Sequence, residues 1–205
     1  LHIRRTEQAK EFCDRMIMAV ATGPGTHTFD EVKRMFGDKW EYLHLENTPK
    51  LREVAGYRLM LPLVESTDPN DVTFCLHGKG AQGSTAENKI IEWWIDAMYE
   101  TVLFNRHEVF EHMERGASVV GAFRRHGNML GARYRWHYSG TYYALRNARA
   151  FTKGVPQIKS KWYGTESLPG DLFPLRHSAC TFHDNCGHLY EVEQQPRAEF
   201  EEWKR

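Results

Sequence analysis

Asp71-Val-Thr-Phe-Cys-Leu-His77-Gly78-Lys79-Gly80 is the stretch whose reading decides the fold. Val72 to Leu76 predicts a buried strand that stops at His77-Gly78. Two glycines just past a strand end let backbone N–H groups approach a ligand closely, and Lys79 supplies a cation for a phosphate. The bland alternative is a Gly-rich turn with a solvated lysine. A P-loop is excluded. Gly78-Lys-Gly-Ala-Gln-Gly83 has the two glycines at P-loop distance, but Ser84 stands where the phosphate-binding lysine belongs.

Outward from this strand, short apolar runs alternate with helical stretches. Upstream, Thr6 to Asp14 predicts a helix with Thr6 as a possible N-cap. Met16 to Ala21 reads as a buried strand ended by Gly23-Pro24-Gly25, and Thr28 to Phe36 as a helix closed by Gly37. Trp40 to Glu46 alternates like a strand. A helix follows from Pro49 to about Glu65, facing Leu51, Val54 and Ala55 inward, with Pro62 ending or kinking it. Downstream, Ile91, Trp94, Met98 and Val102 recur at helical spacing within 87–104. Arg106 to Glu114 predicts a shorter helix, and Ser118 to Phe123 a fourth strand. The alternation predicts an α/β fold with a three-layer α/β/α arrangement around a mostly parallel sheet. In open sheets of that kind, ligands bind at the carboxyl ends of the strands.

The chain has 205 residues, enough for one domain with a substantial core, and residues 1–205 are read as a single domain with a polar tail at about 193–205. Lys+Arg and Asp+Glu are 27 each, so no global field recruits nucleic acid or an anionic membrane. Any anion site must be local. The 4 cysteines are too scattered for a disulfide framework, which points to a reducing, cytoplasmic compartment. No apolar run approaches the roughly 20 residues of a membrane helix. The N-terminus lacks an initiator Met and an apolar signal region, and reads as the start of a fragment.

Three further clusters carry candidate chemistry. Trp136-His137-Tyr138-Ser139-Gly140-Thr141-Tyr142-Tyr143 combines aromatic faces suited to sugars or bases with hydroxyl-binding groups, or is an aromatic strand packed on the core. Trp162-Tyr-Gly-Thr-Glu166-Ser167 offers a single carboxylate as a general base. Alternatively, Thr165 caps a short turn that Pro169 and Gly170 end. Cys180, His183, Cys186 and His188 have enough ligands for zinc, but lack the paired knuckles that make such spacing diagnostic. Cys180-Thr-Phe182 also reads as a short buried strand.

In this order the clusters resemble a family of bacterial glycosyltransferase-like proteins with a GT-A-type nucleotide-sugar fold. The matching elements are His77-Gly-Lys-Gly80, the helix with Trp93 and Trp94, His137-Tyr-Ser-Gly-Thr-Tyr-Tyr143 and Trp162-Tyr-Gly-Thr-Glu166, with Glu46-Asn47 after the second strand. The resemblance implies sugar transfer from a nucleotide-sugar donor to a hydroxyl of a glycan or other acceptor, in polysaccharide synthesis. His77, Gly78, Lys79 and Gly80 would hold the donor diphosphate where related enzymes carry a metal-binding Asp-x-Asp, so no metal is assigned and a metal-independent reaction is expected. His137, Ser139, Gly140, Thr141 and Trp162 would line the sugar and acceptor pocket, with Glu166 as the base. The fold's usual first strand lies upstream of Leu1 or is missing. A non-catalytic carbohydrate- or nucleotide-binding module on a degenerate fold is the alternative.

Overall fold

A computed structural model describes residues 2–78, 85–126, 136–161, 163–184 and 194–205. They form a mixed α/β structure that divides into two compact units, one of Leu1–Asp71 and Asn147–Leu168, the other of Val72–Arg146 and Pro169–Arg205.

In the first unit, helix α1 (His2–Ala9) precedes a strand–helix–strand repeat. Thr6 lies inside this helix rather than capping it, with its hydroxyl donating to the Ile3 carbonyl. Strand β1 (Ile17–Thr22) pairs in parallel with β2 (Glu41–Glu46), from Ile17 opposite Glu41 to Thr22 opposite Glu46. A parallel pair needs a crossover, and α2 (Phe29–Phe36) provides it. The limits of α2 are set by chemistry the sequence announces. Thr28 accepts from the Glu31 N–H while the Glu31 carboxylate accepts from the Thr28 N–H, and Gly37 closes the far end at φ 75°. Helix α3 (Glu53–Met60) starts later than Pro49, because residues from Thr48 to Arg52 first make a turn with Arg52 at φ 46°. It lies so close to β1 that a Cβ on Gly56 would come within 2.9 Å of the Ala19 Cβ. A 3₁₀ turn (Leu61–Val64) follows, with Pro62 in its first positions, so the proline changes the helix type instead of kinking it.

In the second unit, β3 (Val72–Cys75), helix α4 (Thr85–Met98), helix α5 (Arg106–Glu114) and β4 (Val119–Ala122) follow the expected order. Between α4 and α5 the helix widens into a π segment, Tyr99–Phe104. There the Thr101 hydroxyl donates to the Ala97 carbonyl at 2.7 Å, and the Asn105 N–H reaches back five residues to Glu100. Strands β5 (Arg124–His126) and β6 (Trp136–Tyr138) form an antiparallel pair. A turn then leads into β7 (Tyr143–Arg146); α6 (Asn147–Ala150) and the start of α7 (Gly164–Leu172) belong to the first unit, and β8 (Ser178–Phe182) and α8 (Gln194–Trp203) to the second.

The larger sheet has the order β3-β7-β4-β8. β7 is antiparallel to both β3 and β4, and only β4–β8 is parallel. The sheet is therefore mixed where alternation predicted parallel strands. The reason is the connection: β7 is entered from β6 by a tight turn, not through a helical crossover. The C-terminal stretch read as a polar tail forms α8, which buries Phe200 to 1% exposure edge-on against Phe182. Ala198, Phe200 and Trp203 are too few apolar residues among the glutamates of this segment for a clear helical pattern.

Gly121 in β4 marks the tightest packing of this sheet. A Cβ there would sit 2.8 Å from the Tyr142 carbonyl and 2.9 Å from the Tyr138 ring. We expect Gly121→Ala to destabilise the protein by about 1–3 kcal/mol. Urea unfolding measures this, and an unchanged midpoint would refute the close approach.

Candidate functional site

The end of β3 and the start of β7 lie side by side, because Cys75 is the register partner of Tyr143. This pairing joins two of the sequence clusters. The half-buried His77 follows β3, and its carbonyl accepts the Tyr142 hydroxyl at 3.2 Å. The two rings meet edge-on at 6.3 Å, and Tyr142 also packs edge-on at 5.3 Å against Tyr99 of the π segment. Gly78 is exposed. Lys79 and Gly80 lie outside the described residues, as does Trp162.

The turn Ser139-Gly140-Thr141 is buried along its whole length, with Thr141 at 0% exposure. Its backbone is unusual: Gly140 has φ 98° and Thr141 has φ 55°. A β-branched residue in the left-handed region is rare and costs on the order of 1–3 kcal/mol, a strain found mainly at ligand and active sites. Gly140 is confined as well, since a Cβ would fall 2.8 Å from the Met98 sulfur on α4. The Ser139 N–H donates to the Phe123 carbonyl at 3.1 Å, and Phe123 is itself left-handed at φ 55°.

His137 stands at the centre of β6, opposite Arg125 of β5. Directly opposed residues share one face of the pair. Trp136 and Tyr138 occupy the other face, where the Trp136 indole donates to Phe173 and the Tyr138 hydroxyl to Ala179. His137 is 2% exposed, and its Nδ1 has no hydrogen-bond partner among the described residues. Burial, and next the Arg125 charge, push its pKa down to about 4. The imidazole is therefore neutral near pH 7 and works as a hydrogen-bonding group, not a cation.

Glu166 belongs to the first unit, near the start of α7, and is half-buried. Its neighbour Thr165 is buried and donates to the Glu53 carboxylate at 2.8 Å. The helix does not stop at Pro169-Gly170 but runs through them to Leu172, so the short-turn expectation is corrected. The Pro169 carbonyl still accepts the Phe173 N–H at 2.9 Å, and the bare Gly170 Cα allows contact with the Trp136 carbonyl, 2.1 Å from where a Cβ would be.

The possible zinc ligands fare differently. Cys180 contacts the Phe182 carbonyl at 3.2 Å, and burial pushes its thiol up to about 11. His183 Nδ1 is 2.8 Å from the Glu199 carboxylate of α8. Cys186 and His188 lie outside the described residues, among which no group of three or more His, Cys, Asp and Glu is placed to hold a metal. At the β3 end, residues 76–85 contain no carboxylate. That donor set does not suit a hard divalent cation, which takes oxygen ligands.

Three features here were beyond the sequence reading: the Tyr142–His77 link, the positive φ of Phe123 and Thr141, and Arg125 facing His137. Serine and glycine at 139–140 signal a turn, but nothing in a threonine signals left-handed backbone. No protein-family model, curated protein or solved structure matches the chain.

Because the folded pKa of His137 lies below its ordinary value, the unfolded chain takes up a proton first on acidification. The stability held above about pH 6.5 is lost as pH falls towards 4, at up to about 1.4 kcal/mol per unit. We expect His137→Phe to flatten this part of the stability–pH curve, and an identical slope in both proteins would contradict it. Gly140→Ala, strained by both φ and Met98, should destabilise the protein by about 1–3 kcal/mol, measured by urea unfolding.

Proposed function

We propose that the protein is glycosyltransferase-like, moving a sugar from a nucleotide-sugar donor to a hydroxyl acceptor on a GT-A-type fold. The observation that supports this best is the adjacency of the His77 strand end and the buried, strained Ser139–Thr141 turn, joined through Cys75–Tyr143 pairing and the Tyr142 hydroxyl.

In this reading the Gly78 and Gly80 amides and the Lys79 ammonium balance the charge of the departing diphosphate. The Ser139–Thr141 turn, with His137, holds the sugar and the approach of the acceptor. The resemblance offers Glu166, a residue of the first unit, as the candidate base. A divalent cation is not assigned, since the β3 end offers no carboxylate oxygen. The second reading is a binding module without turnover. It is favoured by the Thr165–Glu53 hydrogen bond, which gives the segment around Glu166 a structural task.

Calorimetry with UDP- and GDP-sugars, followed by donor hydrolysis assays, separates the two. Binding with turnover, unaffected by chelator and reduced by about 10²-fold or more in Glu166→Gln, is expected. Full activity in Glu166→Gln would remove the base role, and strict Mn²⁺ dependence would overturn the metal-free scheme. Binding without turnover would favour the module.

A further inference from the structure

In the first unit, the outward side of α3 lacks the cover that its composition calls for. From Val54 to Val64, through α3 and the 3₁₀ turn, Arg58 is the one charged residue. The inner side is accounted for: Val54, Gly56, Tyr57 and Leu61 are buried, with Gly56 against Ala19 of β1. The other side carries Leu59 at 44% and Leu63 at 38% exposure, four residues apart and so on one side of the helical stretch. A helix that is apolar all round is normally covered all round, whereas one facing water turns charged residues outward.

What borders this side is cationic. The segment from Asn147 to Thr165, in the same unit, runs back along α3. The Asn147 amide donates to the Val64 carbonyl at 2.9 Å, and Thr165 meets Glu53 at the other end. Between them Arg58 donates to the Ile158 carbonyl at 2.5 Å and to the Ser160 hydroxyl at 2.7 Å. The segment contains Arg149, Lys153, Lys159 and Lys161 and no acidic residue, in a chain whose charges balance at 27 each. All four are exposed, and Val155 among them is 36% exposed. Arg58 is exposed too, and the two groups it bonds are neutral. Glu53 and Glu65 stand at the two ends of the helical stretch, the first already bonded by Thr165. Like charges gathered on one surface repel, so this arrangement costs the free protein stability that an anionic partner would restore.

Charge and exposed leucines together name that partner. A polyanion in water, such as nucleic acid or an acidic polysaccharide, neutralises lysines but offers leucines nothing. An anionic bilayer surface does both: its headgroups pair with Lys and Arg, and the boundary of its acyl chains takes up apolar side chains. We propose that the outward side of α3 and the flanking 147–161 segment form a docking site for an anionic lipid surface. Leu59 and Leu63 enter the interface, and Lys153 and Lys161 reach the headgroups. The attachment is peripheral, since no helix among the described residues is long and apolar enough to cross a membrane. It does not rest on the glycosyltransferase reading.

Co-sedimentation of the whole chain with vesicles of phosphatidylcholine containing phosphatidylserine, against phosphatidylcholine alone, tests this. Wild type should bind only the anionic vesicles at about 0.1 M salt and be released at about 1 M, where screening cuts the reach of charge to about 3 Å. Lys153→Gln/Lys161→Gln should weaken binding about tenfold or more, since each basic residue near such a surface is worth about fivefold. Leu59→Gln/Leu63→Gln should weaken it as well. Arg34→Gln/Lys39→Gln removes two exposed charges elsewhere and should bind as wild type does. Arg34 belongs to α2, which packs on the other face of the β1–β2 pair: Phe29 stacks on His44, whose register partner Val20 points away from Ala19. All substituted side chains are exposed, so each variant should melt as wild type does. No binding by wild type, an equal loss in Arg34→Gln/Lys39→Gln, or full binding by Leu59→Gln/Leu63→Gln would overturn the site. Binding of heparin or RNA in place of vesicles, needing the lysines but not the leucines, would overturn it in favour of a soluble polyanion.

Discussion

The pairing of β7 on both of its edges is the constraint on which the second unit depends. Tyr143, Ala144 and Leu145 are wholly buried, held between β3 and β4. A slip of one residue would reverse which faces of β7 meet their neighbours and would separate Tyr143 from Cys75. Gly121 reinforces the register, since only a residue without a side chain tolerates the Tyr142 carbonyl at that distance. With register fixed, the turn before β7 must pass beside the end of β3. The meeting of His77 with Tyr142 is then a consequence of strand pairing rather than of a separate interaction.

The same packing decides what kinds of chemistry this unit supports. Its described thiols are held protonated by burial, Cys75 pushed up to about 12 and Cys180 to about 11. Neither is a thiolate nucleophile near neutral pH. His137 is kept neutral, and Tyr138 and Tyr142 are raised well above the usual phenol range, again mainly by burial. What remains is hydrogen bonding by uncharged groups, with Arg125 as a buried cation facing His137. That combination leaves these side chains as uncharged hydrogen-bonding groups rather than covalent catalysts near neutral pH.

Much of the local structure was legible because single residues announce it. The Thr28–Glu31 capping box and Gly37 bound α2, and continuous or alternating apolar runs marked β1, β2, β3 and β4. The hairpin of β5 and β6 was not legible: Arg125 and His137 are buried alongside Trp136 and Tyr138, so polarity no longer distinguishes an inner from an outer face. The π segment was hidden because its buried residues fit the helical spacing of α4, and the departure arises where Asn105 bonds to Glu100. Sheet direction was misjudged for a different reason. Helix–strand alternation counts crossovers, and the entry to β7 is a turn. Of the candidate site, the residue types at 77 and 137–141 could be read, but their adjacency and the strain at Thr141 come from tertiary packing.

The central claim is that the His77 strand end and the 136–143 segment serve one ligand. Hydrogen-exchange mass spectrometry with and without a saturating UDP- or GDP-sugar measures it most directly. Slowed exchange in peptides covering both segments, beyond that given by the bare nucleotide, is the result expected. Protection confined to one segment, or absent from both, would contradict a shared site.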